Sequence, residues 1–237
     1  MPALTLDRQN ALRDQYRRQH PGWQPATEVY EATIRDRLTP GMAVLDLGCG
    51  RGGVLEQLGT AVSAPFGIDP DGQSLVEHRL THMPRAVALA DDLPLRSGQF
   101  DAVVCSWVLE HVAQPTHVFA EVARVLRPGG FFVLLTPNAR ALVTIINRTL
   151  RPMQRRLVER LYGRAEADTF PVLYRANRRA ALDRLAAAQG LVNDGCYQIA
   201  DPTYLAFTPM LYAVSRALSH LTPPVHLVAV YRRPAVR

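Results

Sequence analysis

Along this 237-residue chain, short apolar runs of strand length alternate with stretches whose apolar residues recur at helical spacing. The strand-like runs are 43–46, 62–69, 85–89, 99–106, 131–136, 191–199 and 225–231. Helical periodicity falls at 51–58, from the Asp69-Pro70-Asp71-Gly72 turn through Leu80, at 115–126 with Val118, Val122, Val125 and Leu126 on one face, and at 178–189. Before the first strand, Leu12, Tyr16, Val29, Ile34 and Leu38 mark two helices broken at His20-Pro21-Gly22, with Tyr16 and Trp23 near their junction. Strands and helices alternating in this way predict a parallel sheet covered on both faces, with ligands at the carboxyl ends of the strands.

The pattern changes after the fifth strand. Leu142, Ile146, Leu150, Met153, Leu157 and Leu161 form a helical stripe punctuated by Pro152, which predicts a helical cap inserted over 139–176. A second apolar stretch, 203–221, carries Tyr204, Leu205, Phe207, Met210, Leu211, Val214 and Leu218 and ends at Pro223-Pro224. The expected organisation is one domain: N-terminal helices (1–40), a ligand-binding core (41–138), the cap (139–176) and the rest of the sheet with its apolar insertion (177–237). Cap and insertion together suit a bulky or amphiphilic substrate, or a homodimer interface.

Composition narrows the class. An apolar content of 48% is ordinary for a globular core. No apolar run is long enough to span a membrane, and the first residues lack the pattern of a secretion signal. Cys49, Cys105 and Cys196 are widely spaced without a metal-ligand pattern, so the expectation is a reduced cytoplasmic protein that needs no metal. Every one of the 27 basic residues is arginine, and residues 140–179 hold ten of them against three acids. The remaining 17 arginines are matched by 18 acids, so the net charge of +6 belongs to one segment. That favours a local anionic partner, such as peripheral contact with the inner membrane face through 140–164, over a general nucleic-acid surface. A solvated arginine-rich helix face explains the same numbers.

The candidate chemistry centres on Val44-Leu45-Asp46-Leu47-Gly48-Cys49-Gly50-Arg51-Gly52-Gly53, a strand followed by a turn that lets backbone approach a ligand closely. Gly48, Gly50 and Gly53 satisfy the dinucleotide pattern G-x-G-x-x-G, with Asp69 at about the expected ~20 residues beyond. Asp46, Gly48, Gly50 and Gly52 also give D-x-G-x-G-x-G, which resembles the first motif of class I S-adenosylmethionine-dependent methyltransferases. The loop alone leaves both readings open. The stretch from Leu93-Pro94 through Phe100-Asp101-Ala102-Val103-Val104-Cys105-Ser106-Trp107 to Leu109-Glu110-His111-Val112 resembles the third and fourth motifs of the small-molecule members. Leu126-Arg127-Pro128-Gly129-Gly130 with 131–136 resembles their post-motif. These motifs cover 40–138 in order and spacing, and a dehydrogenase accounts for none of the later ones. The more distant phrase 168–177 resembles one found in bacterial methyltransferases that accompany glycan or lipid biosynthesis.

The resemblance implies an α/β fold, a Rossmann-like, mostly parallel seven-stranded sheet flanked by helices. It implies S-adenosyl-L-methionine as cofactor and S-adenosyl-L-homocysteine as product. Asp46, Gly48, Cys49, Gly50, Asp69, Pro70, Leu89, Ala90, Ser106 and Trp107 would form the cofactor site, with Asp69 accepting both ribose hydroxyls. Leu89 occupies the position where the family usually has an acid for the adenine amino group, so backbone near Ala90 or a shifted Asp91 would take that part. Trp23, His111, Asn138, Tyr174 and Arg175 are the expected acceptor-binding residues. His111 is the candidate base for a hydroxyl, or else a structural histidine of its turn. His78 and His82 are expected to face solvent. Ser106-Trp107 stands where amine methyltransferases of nucleic acid carry Asn/Asp-Pro-Pro-Tyr/Phe, and Cys105 lacks the Pro-Cys context of a cytosine nucleophile, so no nucleic-acid partner is expected. The leading function is O-methylation of a small-molecule, glycan or lipid-linked acceptor. The alternatives are N- or C-methylation of a small metabolite such as a quinone precursor, or a non-catalytic cofactor-binding module.

Overall fold

The computed structural model describes residues 4–149 and 171–235. Two helices lead: α1 (Leu6–Gln19), whose first turn is capped by Thr5 accepting from the Arg8 amide, and α2 (Ala26–Arg35). Then follow β1 (Ala43–Leu47), α3 (Val54–Leu58), β2 (Ala64–Asp69), α4 (Gly72–Val76), β3 (Arg85–Val87), β4 (Phe100–Ser106), α5 (Pro115–Val125), β5 (Leu126–Pro137) and α6 (Leu142–Thr149). After the undescribed stretch come α7 (Arg179–Ala188), β6 (Val192–Ile199), a 3₁₀ turn (Pro202–Leu205), α8 (Pro209–Leu218) and β7 (His226–Arg232). The seven strands form one sheet in the order β3-β2-β1-β4-β5-β7-β6, with β7 antiparallel to both neighbours and the other pairings parallel.

Helices cover both faces, so the central strands are apolar at successive positions. Leu45, Leu47, Val103, Cys105, Phe132, Leu134, Ala229 and Tyr231 pack with Val118, Phe119 and Val122 of α5 and Leu182 and Ala186 of α7. The alternate residues Val44, Ala102, Val104, Val133, Val228 and Val230 pack with Tyr30 and Ile34 of α2 and with α3. This period of two is the pleat of the strands. Pro137 is paired with His226, and His226 with Ile199. Residues 138–149 and 200–225 therefore leave the sheet at one edge, the edge where the parallel strands end.

Several sequence expectations are corrected. β5 begins at Leu126, because the Gly129 amide donates to the Arg233 carbonyl and the Arg233 amide to that of Gly130, extending the ladder through the expected turn. α4 stops at Val76, and His78, expected in solvent, is buried with Nδ1 accepting from the Leu80 amide; His82 is exposed. The insertion is split at Thr208, which caps α8 by accepting from the Leu211 amide. Of the expected cap, α6 is its described start. Leu150, Met153, Leu157 and Leu161, the arginines at 151, 155, 156 and 160, and most of the 140–164 membrane segment lie outside the described residues.

Candidate cofactor and acceptor site

The turn after β1 is held by backbone. The amides of Gly48 and Cys49 both donate to the Ile68 carbonyl, at 2.7 and 3.1 Å, which lays the loop against the end of β2. Gly48 has φ +77°, and a Cβ there would stand 2.2 Å from Val108 Cγ2, so the position admits only glycine. Asp69 is buried at the end of β2, with Oδ2 accepting from the Gly50 amide and Oδ1 from the Asp71 amide, each at 2.9 Å. A carboxylate has acceptor capacity for about four bonds, so both oxygens can still receive a ligand hydroxyl.

Asp46 differs. It is buried and its carboxylate makes no hydrogen bond among the described residues. Burial, and then the charge of Asp69, push its carboxyl up to about 7. A Cβ at Gly53 would lie 3.5 Å from Asp46 Oδ2, so the glycine leaves one side of this carboxylate uncrowded. An unpartnered buried acid next to a second acid that can accept hydroxyls fits a ligand with a cationic amine and a ribose. The residues present thus suit S-adenosylmethionine.

The other expected cofactor residues surround this turn in different ways. Cys49 contributes backbone, for its thiol is buried in the core, pushed up to about 12 by burial, and its Sγ lies 2.7 Å from where a Cβ of Gly67 would stand. Pro70 is exposed beside Asp69. Leu89 is 58% exposed and bridges to Asp92, while the Ala88 amide donates to the Asp69 carbonyl, so Leu89 and Ala90 follow directly from the Asp69 edge. Ser106 and Trp107 end β4, where Trp107 takes φ +59°, donates its amide to Leu135 and sets its indole edge-on to His226 at 5.2 Å. Tyr30, which the sequence marks only as an aromatic residue on the apolar face of α2, sets its buried phenol beside Asp46, Cys105 and Ser106.

After β4, Glu110 gathers the partners. Its backbone carbonyl accepts the amides of Leu173 (2.6 Å) and Tyr174 (3.1 Å), and Arg175 Nη1 donates to the Ala113 carbonyl at 2.7 Å. These bonds stitch 171–175 onto the loop after β4 and bring Tyr174 and Arg175 near His111. His111 Nδ1 lies 3.0 Å from the Pro171 carbonyl, and Nε2 lies 4.0 Å from Glu110 Oε1. The Glu110 carboxyl is buried, pushed up to about 7 by that burial, and accepts from Thr136 Oγ1, which in turn accepts from Asn177 Nδ2. Trp23 and Asn138 belong to another wall. The Trp23 indole donates to the Ala200 carbonyl at 2.7 Å; Asn138 Nδ2 donates to the Pro224 carbonyl and its Oδ1 accepts from the Arg140 amide. Their polar atoms are engaged with backbone, Asn138 is buried, and the Trp23 ring meets Tyr16 edge-on at 5.0 Å. Among the described residues no group of three or more His, Cys, Asp or Glu is placed for a metal ion, and no helix is long and apolar enough to cross a membrane.

The family model described as a methyltransferase domain matches residues 45–134. A ubiquinone biosynthesis O-methyltransferase from Thiobacillus denitrificans is 37% identical over 134 residues, covering 50% of this chain and 57% of that protein. An uncharacterized 37.1 kDa protein in transposon TN4556 of Streptomyces fradiae is 41% identical over 124 residues, covering 48% and 36%. The chain thus spans little more than half the length of one relative and about a third of the other. Among solved structures, geranyl diphosphate C-methyltransferase from Streptomyces coelicolor, in complex with S-adenosyl-L-homocysteine, superposes with TM-score 0.62 at 16% identity over 87% of this chain and 80% of that one. An S-adenosylmethionine-dependent methyltransferase from Mesorhizobium loti gives 0.61 at 17% over 88% and 100%. These two share the fold. The family match begins within β1, ends within β5 and contains Asp46, Asp69 and Glu110, so over residues 45–134 the chain is similar to the methyltransferase domain, on the fold that the solved methyltransferases share.

Proposed function

We propose that this protein transfers the methyl group of S-adenosylmethionine to a hydroxyl oxygen of a small-molecule, glycan or lipid-linked acceptor. The observation that carries the reading is the unpartnered, buried Asp46 carboxylate beside Asp69 at the glycine turn. Asp46 holds the cationic amine of the cofactor, Asp69 the ribose hydroxyls, and backbone at Ala90 the adenine edge. When bound, the cofactor supplies a methyl group already activated by a sulfonium. What remains for the protein is alignment of the acceptor oxygen with that methyl and exclusion of water, which is chiefly catalysis by proximity.

A hydroxyl acceptor also has a proton to lose. A carbonyl only accepts, so the Pro171 oxygen fixes the proton of His111 on Nδ1 and leaves the Nε2 lone pair as base. Tyr174 and Arg175 line the same side and position the acceptor. The choice of oxygen is supported by the relative named as an O-methyltransferase. Three free cysteines suit work in a reducing compartment, the cytoplasm. The test is calorimetry with S-adenosylmethionine and with NADH, followed by methyl-donor consumption with hydroxylated acceptors. Binding of S-adenosylmethionine alone and turnover into a methyl ether are expected. Binding of NADH instead would overturn the reading, and methylated amine or carbon products would overturn the choice of oxygen.

A further inference from the structure

The segments 138–149 and 200–225, which leave the sheet at the same edge, enclose an apolar groove of about 90 Å³ lined by Leu142, Val143, Leu205, Leu211, Val214 and Leu218. α8 turns its apolar side outward. Met210, Leu211, Val214 and Leu218, with Leu221 just beyond the helix, are all exposed, Met210 by 72% and Leu221 by 81%. Their spacing places them on one stripe, whereas Tyr212 is buried with Leu4 and Ala206. Leu142 and Ile145 of α6 are exposed as well.

The exposed charges on these two segments are arginines. Residues 138–149 and 200–225 contain Arg140, Arg148 and Arg216 and one acid, Asp201, which is buried and paired with Arg13. Arg140 and Arg148 are exposed, and the Arg216 guanidinium sits over the Tyr212 ring, 5.7 Å from its centre. We infer that α6 and α8 form a docking surface for an anionic lipid bilayer, with α8 lying in the plane of the interface. The apolar stripe enters the acyl boundary and the exposed Arg140 and Arg148 meet the headgroups, while Arg216 stays on the opposite side of α8 against Tyr212. A second copy of the chain fits less well, because a twofold contact would set this patch against itself, exposed arginine facing exposed arginine, with the acid of the patch, Asp201, buried and already paired with Arg13. The inference stands apart from the methyl-transfer reading, and it places the carboxyl edge of the sheet next to the membrane.

The experiment is sedimentation of the full chain with vesicles of phosphatidylcholine alone and of phosphatidylcholine mixed with phosphatidylglycerol, at low and high salt. Binding to the mixed vesicles, weakened by salt, is expected. Met210→Asp with Leu221→Asp should reduce that binding by about tenfold or more, since charge replaces apolar contact. S-adenosylmethionine affinity and Tm should hold, because both side chains are exposed and far along the chain from the cofactor turn. Arg140→Glu with Arg148→Glu should remove the preference for phosphatidylglycerol. The inference is overturned if the parent chain binds neither vesicle, or if the Met210/Leu221 variant binds as well as the parent. A parent dimer in sedimentation velocity that this variant dissolves, with no vesicle binding, assigns the face to a second copy. A lower Tm in the variant, again with no vesicle binding by the parent, assigns the face to packing within the chain.

Discussion

Asp69 Oδ2 accepts the Gly50 amide at 2.9 Å, which fastens the glycine turn after β1 to the acid that ends β2. The other oxygen holds the Asp71 amide at the same distance, so one carboxylate orders two loops before it meets a ligand. Asp69→Ala should therefore weaken S-adenosylmethionine binding by roughly 2–4 kcal/mol, through loss of charge-assisted bonds and of the turn's anchor. Asp69→Asn keeps one acceptor oxygen and should recover part of the loss. Calorimetry that finds unchanged affinity in the alanine variant would place the ribose elsewhere.

Asp46 makes cofactor binding dependent on pH. Its carboxyl is pushed up to about 7 in the folded protein, first by burial and then by Asp69. A raised acid stabilises the ligand-free fold fully below the ordinary carboxylate range, and this contribution is lost as pH rises towards about 7. Glu110, also raised to about 7 by burial, acts with the same sign. A cationic amine binds the ionised form of Asp46, so S-adenosylmethionine affinity should climb with pH up to about 7 and level off above it. Asp46→Asn should flatten this rise and weaken binding. Calorimetry and melting curves across this range check both profiles; a flat affinity profile in the parent chain would separate Asp46 from the amine.

The strand pattern was legible because strands covered on both faces must be apolar throughout, and the glycine turn was legible because no other residue fits Gly48. What the sequence hid depends on contacts between distant segments. The extension of β5 over Arg127-Pro128-Gly129-Gly130 has no apolar signature and forms by backbone pairing with Arg233. His78 reads as polar surface until α4 ends early and turns the ring inward. His226 opens a strand of ordinary appearance, yet it is buried against Trp107 and Tyr204 and pushed down to about 4 by that burial. The meeting of 171–175 with the loop after β4 rests on backbone bonds to Glu110 and Ala113, which leave no periodic trace.

Gly48 offers a structural test independent of any ligand. An alanine there meets two obstacles, the left-handed φ of +77° and Val108 Cγ2 at 2.2 Å from its Cβ. The first costs about 1–2 kcal/mol and the second about 1–3 kcal/mol. Gly48→Ala should lower stability by roughly their sum. Adding Val108→Ala removes the clashing methyl, so the pair should couple favourably in a double-mutant cycle while the φ cost persists. Additive effects in denaturant melts would show that the turn yields in another way.

His111 and Glu110 should separate in kinetics. With Nδ1 held by the Pro171 carbonyl, Nε2 is the nitrogen able to take the acceptor's proton, and Glu110 Oε1 lies 4.0 Å from it. His111→Ala should lower kcat by ~10²–10⁴-fold with S-adenosylmethionine affinity unchanged, as for loss of a general base. Glu110→Gln removes the charge while keeping an acceptor for the Thr136 hydroxyl. An ionised Glu110 favours the protonated imidazole, so its removal should lower the pH at which His111 loses its proton and move the acid limb of the pH–rate profile downwards. Burial holds the Glu110 carboxyl at about 7, so the shift should fade below that pH, where the carboxyl is already neutral. If His111 is structural instead, the alanine variant will melt at lower temperature while its folded fraction turns over at nearly the parent rate. The Glu110→Gln profile would then stay where it was, because no proton in the reaction would pass through the ring.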